Sequence, residues 1–138
     1  MRDASDALGR GRSDELHAIR IDVKHLRYNL ELLVPFARED ALASLDILAV
    51  FQERLGALAD NDSFAKTFGS LAAGVLSGDA REPGLAALRR VAERDRERAL
   101  VAVRALWRGE EATYPERLAA SISATLASVS ANAAPKVG

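Results

Sequence analysis

Apolar residues recur along this chain at steps of three and four, the period of an α-helix seen from one side. The clearest run is Leu16, Ile19, Val23, Leu26, Leu30 and Leu33. It predicts a helix from Ser13 to about Val34, capped by Ser13 or Asp14 and ended by Pro35. Buried, such side chains stabilise a fold by about 1.5–3 kcal/mol each, so this face must be covered. A second pattern, Leu42, Leu45, Leu48, Ala49, Gln52, Leu55 and Leu58, continues through Phe64, Phe68, Leu71 and Val75, with a bend expected between Gly56 and Asp62. The stretch from Ser77 to Gly84 reads as a linker. Leu85, Leu88, Ala92, Ala99, Ala102 and Leu106 then predict a helix ending near Arg108 and Gly109, and Pro115 opens a last one that fades after Val129.

Strand signals are missing: no alternating runs, no β-branched clusters, and turn residues too far apart for a sandwich. The expected fold class is therefore all-α, an antiparallel four-helix bundle over residues 13–130. Residues 1–12 read as a flexible N-terminal lead-in and 131–138 as a flexible tail. At 138 residues the chain suits one domain. Cysteine is absent, which removes disulfides, thiolate nucleophiles and the usual structural zinc sites. With no apolar run long enough to span a bilayer and no secretory signal pattern, a cytoplasmic location is expected.

Charge changes the picture. Nineteen Lys plus Arg stand against twenty Asp plus Glu, so any polyanion must be held by local segregation rather than by global excess. That segregation is found one position after the first apolar stripe, where His17, Arg20, Lys24 and Arg27 recur at the same steps. They form a second ridge about 15 Å long. No acid lies on the ridge before Glu31, whereas a merely solvated face interleaves acids to gain i,i+4 pairs. Like charges one turn apart cost roughly 0.2–0.5 kcal/mol per pair, which the buried stripe easily offsets. The ridge thus suits an anion but does not by itself prove one.

The helix LHAIRIDVKHLRYNLELL, followed some twenty residues later by FQERLGALAD, resembles the CHAD family, helical domains named for a characteristic histidine. The resemblance falls on Leu16, His17, Arg20, Ile21, Lys24, Leu26, Arg27 and Tyr28, then on Gln52, Leu55, Gly56, Leu58 and Asp60. It implies a helical bundle whose basic surface binds inorganic polyphosphate without catalysis, with polyphosphate granules as an expected location. Two positions depart from the family's pattern: His25 where an Arg is usual, and Ala59 where Asn is frequent. A family member usually has two such halves. This chain looks like the C-terminal one, so either a second copy completes it as a homodimer, or an N-terminal half is missing, or one bundle suffices.

On this reading Arg20 and Arg27 offer planar forks for phosphate oxygens, Lys24 a mobile charge between them, and His17 a charge that depends on pH. His25 and Tyr28 lie within reach of a long chain. Gln52 and Asp60 are expected to orient the basic groups, and Gly56 to permit close helix approach. On the third helix Arg90, Arg94 and Arg98 could extend the ridge, although the interleaved Glu93, Asp95 and Glu97 favour a solvated, salt-bridged face. Asp95, on the apolar stripe, is expected to be buried and paired with an Arg of the first helix.

The competing reading is a helical interaction or dimerisation module whose ridge meets an acidic protein. Catalysis is not expected, because no glycine-rich phosphate loop, no HExxH pair and no metal-spaced cluster occurs; no cofactor or metal is implied. Aromatic residues are 5 % of the chain, too few for a base-stacking platform, so sequence-specific nucleic-acid recognition is not expected.

Overall fold

A computed structural model describes residues 2–75 and 78–133. Ser77 of the expected linker and residues 134–138 of the expected tail lie outside the described residues. Five helices are found among those described, and no strand: α1 (Arg2–Arg10), α2 (Ser13–Leu33), α3 (Arg38–Ala73), α4 (Glu82–Arg108) and α5 (Tyr114–Ala133).

The all-α expectation holds, but the arrangement differs from a ring of four helices. α3 is a single uninterrupted helix of 36 residues that stays helical through the stretch from Gly56 to Asp62. It is the spine against which α2, α4 and α5 pack. α4 flanks its C-terminal half, where Arg96 meets Asp62. α5 flanks its N-terminal half, where Thr125 meets Ser44 and Asn132 donates to the carbonyl of Phe36. α4 and α5 therefore follow one another along the spine rather than lying side by side. The seam between α3 and α5 explains the Ala and Ser richness of the last helix. Small side chains let the helices approach, and the buried Ser44 hydroxyl shares hydrogen bonds with Ser121 at 2.7 Å and Thr125 at 3.1 Å, so its burial carries no unpaired polar group.

The apolar stripe of α2 is where the spacing placed it: Leu16, Ile19, Val23 and Leu30 are buried against Leu48, Phe51, Leu55 and Leu58 of α3. Trp107 packs on Phe51 (ring centroids 5.4 Å apart) and on Tyr114 (5.9 Å), closing the core.

The expected lead-in is folded: residues 2–10 form α1, with Ala7 and Leu8 buried in the core. Its short, glycine-containing sequence has little helical tendency of its own, and tertiary contacts supply the rest. Arg104 of α4 donates to the carbonyls of Leu8 and Gly9, both at 2.8 Å, and Arg96 donates to that of Gly11 at 2.6 Å. Cationic donors thus satisfy the carbonyls at the C-terminal end of α1. Gly11 turns the chain into α2 with φ +65°, and a Cβ there would sit 2.6 Å from Leu100 Cδ2. Gly11→Ala should therefore cost about 1–2 kcal/mol of stability, read as a lowered midpoint in thermal unfolding.

Ser13 does not cap α2. The cap position is Arg12, and the Ser13 hydroxyl instead donates to Asp62 at 2.7 Å. That bond brings the start of α2 level with residue 62 of α3. Beyond it the last turns of α3 and the first turns of α4 continue as a two-helix arm.

Candidate functional site

Burial of the Leu16–Leu30 stripe fixes the rotation of α2 and leaves His17, Arg20, Lys24 and Arg27 exposed along the neighbouring ridge. All four line one surface groove of about 610 Å³ between α2 and α3. Tyr28 and Ile21 complete the α2 wall, and Ala49, Gln52 and Glu53 of α3 form the opposite one. The cations differ in how free they are. Arg27 Nε is held by Glu31 at 2.8 Å, one turn on. Lys24 Nζ lies 5.7 Å from the centre of the Tyr28 ring, a cation–π contact that leaves its donors available. No hydrogen bond or ion pair engages His17 or Arg20 among the described residues. Arg20 is thus the guanidinium most ready to accept an oxyanion.

His17 and Arg20 also line an adjoining depression with Ser13, Asp14, Asp62, Ser63 and Lys66, where two acids balance the two cations, so the cationic excess belongs to the main groove. There Lys66 is tied to Asp62 at 2.9 Å. Burial alone would raise the Asp62 carboxyl, but hydrogen bonds from Arg96, Lys66 and Ser13 outweigh it and bring the pKa down to about 2. Asp62 is consequently an anion throughout the physiological range. It joins α3 to α4 and to the start of α2.

The remaining expected residues are placed elsewhere. Gln52 lines the groove, whereas Asp60 is exposed and outside its lining. His25 is exposed and also outside the lining. Arg90 and Arg94 are exposed on α4, which packs on α3 and α1, and neither lines the groove. Asp95 is not a buried carboxylate paired with the first helix: its side chain is 41 % exposed and pairs within α4, with Arg94 at 3.6 Å and Arg98 at 3.8 Å. Nor does Gly56 mark a close helix approach, since a Cβ there would meet open space.

Glu53 lines the groove without having been named in the sequence reading, and Ile21 and Ala49, named there only for the family pattern and the apolar spacing, line it too. Ala49 and Glu53 flank Gln52 at helical spacing on the exposed side of α3, which was the available signal. Among the described residues no group of three or more His, Cys, Asp or Glu is placed to hold a metal ion, and no helix is long and apolar enough to cross a membrane.

Fold and site together define an all-helical domain with a cationic seam between its basic helix α2 and the spine α3. The chain belongs to the CHAD domain family, whose model matches residues 1–69, a span that includes both walls of the groove. No curated protein and no solved structure matches the chain significantly.

Proposed function

We propose that this protein binds inorganic polyphosphate, without catalysis, in the groove between α2 and α3, and that it associates with polyphosphate granules. The observation that carries this reading is the convergence of His17, Arg20, Lys24 and Arg27 on one groove in a CHAD-family chain. A polyphosphate is a line of anionic oxygens, so it asks for a row of cations more than for a shaped cavity. Arg20 grips adjacent oxygens with its fork, Lys24 follows as a movable charge, and Arg27 exchanges Glu31 for phosphate. Gln52, across the groove, offers neutral donors. Isothermal titration of long-chain polyphosphate into the wild type and into a triple alanine variant of Arg20, Lys24 and Arg27 tests the reading directly.

His17 stands at one end of the same row of groove residues. His17→Ala should lower the affinity for long-chain polyphosphate several-fold, less than Arg20→Ala, because imidazole offers fewer donors than a guanidinium. An affinity unchanged by His17→Ala would remove His17 from the site.

A further inference from the structure

The arm formed by the end of α3 and the start of α4 carries apolar side chains that stay exposed among the described residues. Phe64 is 57 % exposed, Leu71 51 %, Leu88 47 % and Val91 44 %. They are not scattered. Val50, Phe64 and Leu71 recur at multiples of seven, which keeps them on one side of α3. Leu88, Val91, Ala102 and Ala105 recur along α4 at helical steps. Val50 of α3 and Ala102 and Ala105 of α4 line one common pocket, so both stripes lie on the same side of the hairpin. The α3 part of the arm, residues 63–75, has Lys66 as its one charged residue, in a chain that is 28 % charged. Loss of charge over an exposed apolar stripe is the composition of an interface centre.

We infer that this face is a self-association surface, on which α3 of one copy lies over α4 of a second copy about a two-fold axis parallel to the helices. Two arms then make four helices and bury both stripes, as a helical bundle requires. Charge favours this pairing over the other face-to-face arrangement. The Asp62–Arg96 bond sets the register of the antiparallel hairpin, and equal rise along both helices puts Asp60 level with Arg98. Asp60 borders the α3 stripe and Arg98 the α4 stripe, where a 3.8 Å pair with Asp95 leaves guanidinium donors over. With the axis parallel to the helices, each Asp60 faces the other copy's Arg98. With the axis perpendicular to them, α3 lies over α3 and α4 over α4, and Asp60 has no Arg98 opposite it.

The four half-exposed side chains amount to roughly 350 Å² of apolar surface per copy, within the size of functional patches but modest for a dimer. A dissociation constant on the order of 10 µM is therefore expected. The face belongs to the side of α3 away from α2, so the inference does not rest on the polyphosphate reading.

Sedimentation of the whole chain across that concentration range, without polyphosphate, is the test. A concentration-dependent dimer is expected, and Phe64→Glu with Leu71→Glu should abolish it while helical circular dichroism is unchanged. Both positions are exposed, so the variant should keep its fold. Asp60→Arg alone should weaken the dimer about tenfold, and adding Arg98→Asp should restore it. A chain monomeric throughout overturns the inference and leaves the face to a different protein. A dimer indifferent to the Phe64 and Leu71 changes, or not restored by the charge exchange, overturns it equally.

Discussion

Replacing Arg20, Lys24 and Arg27 together by alanine should lower the affinity for long-chain polyphosphate by about 100-fold or more, with the protein still helical. Hydrogen bonds to charged groups contribute about 1.5–3 kcal/mol each, and three of them exceed what a hundredfold change requires even after solvent screening. The variant should fold, because these side chains are exposed and make no core contact. Alanine also favours helix, and removing like charges one turn apart relieves repulsion. The single variants should not be equal. Glu31 already engages Arg27 in the free protein, so a ligand must displace that pair, whereas Arg20 gives its full interaction. Arg20→Ala should therefore cost more than Arg27→Ala. The wild type should also show the steeper loss of affinity with salt, as fewer counterions are released from the polyanion when fewer cations meet it. An affinity that survives the triple change would move the site away from this groove.

The ridge was legible because two period-3.6 patterns on one helix fix each other. Once Leu16, Ile19, Val23 and Leu30 are buried, the neighbouring cations have only one direction to face. What a single helix pattern cannot show is the opposite wall. Glu53 enters the groove only through the rotation of α3, which its contacts with α2, α4 and α5 set together. The arginines of α4 show the same limit. Spacing picked out Arg90 and Arg94, which remain exposed, while Arg96 and Arg104 reach backbone carbonyls of residues 8 to 11. That selection is made by α1, a helix too short to announce itself and stabilised by those arginines and by the burial of Leu8. The order of elements was readable from linkers. Their stacking along a continuous α3 was not, because a 36-residue amphipathic run can equally be read as two helices.

Asp62 was missed for a related reason, since its partners Ser13 and Arg96 come from distant parts of the chain. Its removal should nevertheless be costly. The carboxylate is 14 % exposed and Arg96 22 %, so the pair is poorly screened, whereas Lys66, at 65 %, adds little. A folded pKa of about 2 against an ordinary aspartate value of 3.8 corresponds to about 2 kcal/mol of stability linked to ionisation. Asp62→Ala should lose that amount or slightly more at pH 7, because Arg96 is left with only the Gly11 carbonyl. The sign follows from the depressed value. The contribution is fully present above the unfolded pKa and disappears as pH falls from about 4 towards 2. Urea unfolding of wild type and Asp62→Ala should therefore differ at pH 7 and converge near pH 2. A difference that stayed constant across that interval would mean that the variant weakens packing rather than the bond joining α2, α3 and α4. That bond holds one end of the cationic seam in register, so Asp62→Ala should also weaken polyphosphate binding modestly at neutral pH.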